Sequence, residues 1–142
     1  MVFLHNIFTS NSRRIYMTLK DYFENTKGTG VLGTADADGQ VDLALYSRPH
    51  FLEDDDAMIT FIMNDRLSYA NIKANGNAAY MFIEDGPGYS GKRLYLTMIG
   101  EEKNREKIES IRRRKKHEES ESSGDKFLVT FRVDKTRPLV GG

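Results

Sequence analysis

The stretch Asn64-Asp65-Arg66-Leu67-Ser68-Tyr69-Ala70-Asn71 concentrates the groups best suited to hold an anion. Asn64 or Asp65 reads as the cap of a short helix, and a helix N-terminus offers unpaired N–H groups and partial positive charge. Arg66 adds a guanidinium fork able to grip two phosphate oxygens, and Ser68 adds a hydroxyl donor in the same turn. The run before it, Met58 to Met63, is almost wholly apolar and reads as a strand covered on both sides. A phosphate bound here would sit at the rim of a barrel. The glycine-dense loop Gly86-Pro87-Gly88-Tyr89-Ser90-Gly91-Lys92-Arg93 is the other candidate. It lacks the spacing of a P-loop or dinucleotide fingerprint and serves equally well as a wide hairpin connection.

Other chemistries find little support. The three histidines, His5, His50 and His117, show no metal-ligand spacing with one another, and no nucleophile–base triad is visible. His50, after Pro49 at the end of a strand, reads as a hydrogen-bonded wall residue, with proton donation as its other reading. Glu53-Asp54-Asp55-Asp56 lacks the alternating ligands and distal glutamate of a calcium loop and reads as a solvated turn. With no cysteine, disulfides and thiolate-bound metals are excluded.

The elements that must position these residues are mostly strands. Ile15, Leu19, Tyr22 and Phe23 have helical spacing, with Gly28 placed to end that helix. Val31 to Ala35 reads as a strand, Asp36-Ala37-Asp38-Gly39 as a turn, and Val41, Leu43 and Leu45 as one face of the returning strand. After the strand at 58–63, the spacing predicts a helix from Arg66 to about Ala74, with Leu67, Ala70 and Ile72 inward, ending at Asn75-Gly76. Ala78 to Ile83 and Leu94 to Ile99 are further strands. Glu101 to Lys116 reads as a charged surface helix anchored by Ile108 and Ile111, and Glu118 to Asp125 as a polar linker. Phe127, Val129, Phe131 and Val133 alternate through a last strand, followed by Arg137-Pro138-Leu139-Val140 as an extended tail. Six strands with few helices between them indicate an all-β barrel rather than a doubly wound parallel sheet.

Composition narrows the function classes. At 142 residues and 39% hydrophobic, the chain can bury a real core. Twenty-one basic residues balance twenty-one acidic ones, which disfavours nucleic acid as a partner. The basic run Arg112 to Lys116 is followed by His117-Glu118-Glu119-Ser120-Glu121 and reads as a solvated helix end. No apolar run approaches the roughly 20 residues needed to cross a bilayer, and no secretory signal is visible. The expectation is a cytoplasmic protein without membrane partners.

The order Gly30-Val31-Leu32-Gly33-Thr34-Ala35-Asp36, Asp38-Gly39, Ala44 to His50, Phe61 to Asn71 and Asn77-Ala78-Ala79-Tyr80 resembles the pyridoxamine 5'-phosphate oxidase-like FMN-binding split barrels. The resemblance extends from about Met17 to Val140. The progression Phe-Ile-Met, Arg-x-Ser-x-x-Asn, Asn-x-Ala carries it most. It implies a mainly β, six-stranded antiparallel split β-barrel of Greek key type with a few short helices. That domain would cover residues 17–142, behind an N-terminal extension of residues 1–16. It also implies a homodimer with an FMN in each of two grooves between the chains. Tyr46, Ser47 and Arg48 would line the flavin ring, with Ile62, Met63 and Asn64 flanking the ring and ribityl chain. Arg66, Leu67 and Ser68 would surround the phosphate, and the second chain would close the site through its Tyr89 to Arg93 loop, Lys92 and Arg93 included. The implied activity is an FMN-dependent oxidoreductase acting on a small molecule. A non-catalytic flavin carrier, store or sensor is the alternative, as is a deazaflavin or a haem in the same groove, with His50 the axial candidate. The chain has no tryptophan, and Phe131 to Pro138 does not match the Trp- and Arg/His-containing C-terminal motif that holds pyridoxal phosphate. The resemblance is therefore to a short member, not to a true pyridoxamine 5'-phosphate oxidase.

Overall fold

The computed structural model describes residues 18–112 and 124–142. Its elements are α1 (Leu19–Asn25), β1 (Gly28–Ala35), β2 (Val41–Leu45), β3 (Met58–Asn64), α2 (Leu67–Ala74), β4 (Asn77–Glu84), β5 (Gly91–Glu102), α3 (Arg105–Ile111) and β6 (Lys126–Pro138). The predicted extension, the start of the first helix and most of the 113–125 stretch lie outside the described residues.

All six strands join one antiparallel sheet in the order β2-β1-β4-β5-β6-β3. β4, β5 and β6 are successive neighbours, and β3 returns beside β6, which is a Greek key order. A tight turn makes the β1–β2 hairpin. The Asp36 carboxylate accepts the N–H groups of Asp38 and Gln40, both at 2.9 Å, and Gly39 supplies the positive φ of 84°. The sheet curls around a core in which Phe23, Phe61, Tyr80, Phe82 and Phe131 meet, together with Leu32, Ile59, Met63, Leu94 and Val129. One face of β3 is buried through Ile59, Phe61 and Met63, but the other is covered only at Thr60 and opens at Ile62 and Asn64. The strand is therefore not covered on both sides along its length as expected. Among the described residues no helix is long and apolar enough to cross a membrane.

Several boundaries differ from the sequence reading, each for a local reason. α1 ends at Asn25, and Gly28 is the first residue of β1. A Cβ on Gly28 would lie 2.3 Å from the Ile83 carbonyl oxygen, so this glycine serves strand packing, not helix termination. The acidic loop is an anchor as well as a turn. The Asp56 carboxylate accepts the Leu19 and Lys20 N–H groups at 2.9 and 3.1 Å, holding the start of α1. Neither Asn64 nor Asp65 caps α2, whose N-cap position is Arg66 with no side-chain bond. The inward stripe of α2 is Ser68, Asn71 and Ile72, while Leu67 and Ala70 are exposed. Asn71 can face inward because its amide donates to the buried Thr34 hydroxyl at 3.0 Å. Glu101 and Glu102 still belong to β5, and α3 starts after Asn104, whose side chain accepts the Lys107 N–H at 3.0 Å. β6 continues through Arg137 and Pro138, which pair with Arg93 and Lys92, so only the last residues form a tail.

The apolar run Met58 to Met63 and the aromatics Tyr80, Phe82 and Tyr95 lead one to expect surplus apolar surface for a second chain to cover, but the surplus lies elsewhere. Tyr80, Phe82 and the inward residues of β3 are consumed by the chain's own core. The exposed aliphatic row is on the edge strand, with Val41, Leu43 and Leu45 at 81, 73 and 77% exposure.

Candidate functional site

β2 and β3 are the two edges of the curled sheet, and their approach defines the site. After β2 the chain runs through residues 46–49 and reaches β3 at a single bridge. His50 and Thr60 exchange both backbone hydrogen bonds at 2.8 Å. No further ladder joins β2 to β3 among the described residues, so the barrel is pinned at one point and split along the rest. α2 lies beside this split, tied to β1 through Asn71 and Thr34. The space between them is a groove of about 700 Å³, a size ordinary for a cofactor-bearing pocket.

Each wall has a distinct chemistry. Asp42, Ala44 and Leu45 of β2, with Tyr46 and Ser47 after it, form one side. Ile62 and Asn64 of β3 form the other, and Arg66, Leu67 and Ser68 at the start of α2 close the end. The Tyr80 hydroxyl lies 3.2 Å from the Tyr46 carbonyl and 3.1 Å from that of Ser47, fixing the backbone of the first wall from within the core. Burial pushes the Tyr46 phenol above its ordinary pKa, the nearby Ser68 hydroxyl partly offsets this, and the Asp42 carboxylate adds to the rise. Tyr46 therefore stays protonated and remains a donor at neutral pH.

The groove end gathers an uncapped helix start and cationic side chains. α1 and α3 have side-chain caps from Thr18 and Asn104, but α2 has none. The first-turn N–H groups of Leu67, Ser68 and Tyr69 are thus left for solvent or a ligand. The Arg66 side chain is exposed and makes no hydrogen bond or ion pair among the described residues. Two further cations line the groove. Lys126 donates to the Asn64 side-chain oxygen at 3.1 Å, and Arg112 pairs with Glu109 at 3.1 Å.

Seven of the residues named from sequence therefore come together: Tyr46, Ser47, Ile62, Asn64, Arg66, Leu67 and Ser68. The other four point elsewhere within one chain. Arg48 donates to the carbonyls of Phe23 and Thr26 at 2.9 and 3.2 Å, tethering the end of α1. The Met63 side chain is fully buried in the core. The Lys92 ammonium sits 4.6 Å from the Tyr22 ring centroid, and Arg93 bonds to the Pro138 and Gly141 carbonyls. Sequence reasoning missed Asp42, Ala44, Leu45, Arg112 and Lys126 as groove residues, and His50 joins them as the wall residue expected.

The sequence matches no family model and no curated protein. The fold, in contrast, is well represented among solved structures. An FMN-binding protein from Syntrophomonas wolfei subsp. wolfei superposes with a TM-score of 0.69 at 19% identity, over 99% of this chain and 97% of that one. This chain has the split-barrel fold of the pyridoxamine 5'-phosphate oxidase-like proteins. An F420 reductase shares it at a TM-score of 0.64 and 15% identity, over 82% of this chain and 94% of the other. So does a provisionally assigned pyridoxamine 5'-phosphate oxidase from Lactobacillus delbrueckii, at 0.59 and 18%, over 86% and 97%. In this split barrel, the split is where the groove lies.

Proposed function

We propose that this split-barrel chain binds FMN in the groove between β2 and β3, as a homodimer, and is a flavin-dependent oxidoreductase acting on a small molecule. The observation that carries this reading is the uncapped start of α2, with Arg66 and Ser68, opening onto a groove lined by both apolar and polar side chains. Its donor set fits a phosphate-bearing, partly planar ligand. Arg66, Arg112 and Lys126 outnumber Asp42 in the lining, and a phosphate monoester carries about −1.5 to −2 charges at neutral pH. Ala44, Ile62 and Leu67 offer apolar contact that excludes water, and Tyr46 and Ser47 offer hydrogen bonds to a ring edge. Bound FMN would supply the redox chemistry, accepting or donating hydride at its N5. The protein's tasks are then to grip the phosphate, orient the ring and leave one face open to substrate. The structural neighbours that bind FMN or act on F420 support a flavin-type ligand for this groove.

The proposed dimer rests on β2. Its one face lines the groove through Asp42 and Ala44, while its other presents Val41, Leu43 and, at the margin of the groove, Leu45 to solvent. An edge strand with three exposed aliphatic side chains in alternation is a surface that a second copy covers. The loop carrying Tyr89, itself 82% exposed, is the segment of that second copy expected to close the groove.

Titration of apoprotein with FMN and with riboflavin, read by fluorescence quenching, tests the phosphate reading. FMN should bind at least about tenfold more tightly, since bonds to charged groups are worth about 1.5–3 kcal/mol. Equal affinities would refute it.

A further inference from the structure

The outer face of the sheet divides into two halves by chemistry. Directly paired residues on antiparallel strands share a face. Leu45, Val31, Met81, Arg93 and Arg137 therefore form one row across β2, β1, β4, β5 and β6. Leu43, Gly33, Ala79, Tyr95 and Lys135 form the next. The β2–β1–β4 half is apolar, and the β5–β6 half sets three cations around one tyrosine. There Arg93, Tyr95, Lys135 and Arg137, with Gly141, surround a depression of about 360 Å³ that no carboxylate lines.

Two of the three cations are already fixed in place. Arg93 donates from Nε to the Pro138 carbonyl at 2.8 Å and from Nη2 to the Gly141 carbonyl. Arg137 donates from Nη1 to a main-chain oxygen of Gly142 and lies 6.0 Å from the Tyr95 ring centroid. A guanidinium has five N–H donors, so each arginine keeps several beyond these bonds. The Pro138 and Gly141 carbonyls position the Arg93 charge without neutralising it. Asp134, adjacent to Lys135 in sequence, is engaged by Thr97 at 2.5 Å and Arg132 at 2.7 Å. Lys135 is exposed and has no hydrogen bond or ion pair among the described residues.

We propose that this depression is a second anion-binding site, taking a small ligand through a phosphate or carboxylate group. Two arginine forks and one flexible ammonium form a donor set suited to such a planar or tetrahedral anion. Prior fixing of the guanidinium groups lowers the ordering cost of binding. Within one chain the depression and the groove share no lining residue, so phosphate bound at the two can be told apart residue by residue.

Amide NMR spectra of the full chain, titrated with inorganic phosphate at low ionic strength, test this site residue by residue. Phosphate should shift the amides of Arg93, Tyr95, Lys135 and Arg137. Lys135→Glu should weaken the fitted affinity there by about tenfold or more, and Lys135→Gln by less. Any shifts at Leu67 to Tyr69 belong to the groove and should persist in both variants, whose spectral dispersion reports retention of the fold. Shifts confined to residues 67–69, or unchanged affinity in Lys135→Glu, would overturn the proposal. A changed oligomeric state in Lys135→Glu with no phosphate shift on β5 and β6 would also overturn it, assigning the cations to contact with another chain.

Discussion

Arg66 is the side chain on which phosphate recognition in the groove turns, because it adds a mobile charge to N–H groups that no cap occupies. Arg66→Ala should weaken FMN binding by about tenfold or more and leave riboflavin binding nearly unchanged. Arg66→Lys should recover only part of the loss, since an ammonium cannot make the two-pronged contact. Ser68→Ala should show the same FMN-selective loss at smaller size. Paired titrations of each variant with both flavins check this, and equal losses for the two flavins would contradict it. Arg66, Leu67 and Ser68 were legible in the sequence because one helical turn brings neighbours in sequence together. Lys126 was not, since it reaches the groove through pairing with Asn64, 62 residues away. Naming Ile62, Met63 and Asn64 as one contiguous set overlooked the alternation of a strand. Ile62 and Asn64 face the groove, and Met63 necessarily faces the core.

At the scale of elements, α2 is held from two sides, and the second attachment is sensitive to pH. Tyr69 stacks on Phe127 with ring centroids 4.2 Å apart, its hydroxyl donates to Glu101, and Lys73 pairs with the same carboxylate. Loss of solvation, followed by the Glu101 contact, pushes the Tyr69 phenol up to about 12. Bonds from Lys73 and then Tyr69 hold Glu101 below the usual carboxylate range. A raised tyrosine favours the native state fully below its ordinary value of 10.0, and that contribution is lost as pH climbs toward about 12. A lowered glutamate contributes above its ordinary 4.5, and that contribution is lost as pH falls through the lowered native value. Thermal melts of wild type and Tyr69→Phe should converge in strong alkali, and the late tyrosinate absorbance step should vanish in the variant. Parallel melting profiles across that range would contradict this. Apolar spacing alone pointed Leu67 and Ala70 inward. The true inward pair, Ser68 and Asn71, is polar and becomes intelligible only with Thr34 opposite it.

At the scale of the whole molecule, the strand count and the mainly β class were readable from alternation and turn residues. The split came from the family resemblance and not from that patterning, because it depends on which two strands end up as edges. The same β2 that bounds the groove carries Val41, Leu43 and Leu45 outward, so cofactor binding and association of two chains should depend on one another. Leu43 is 73% exposed in the single chain, and an aspartate there costs the isolated fold little while burying an unpaired charge in the proposed interface. The most direct measurement combines light scattering with FMN titration of apoprotein for wild type and Leu43→Asp. Wild type should be a dimer that saturates at one FMN per chain, and Leu43→Asp should be a 16.2 kDa monomer with FMN affinity reduced by about tenfold or more. Wild-type protein that leaves FMN fluorescence unchanged, or a monomeric Leu43→Asp that binds FMN as tightly as wild type, would contradict a flavin site shared between two split barrels.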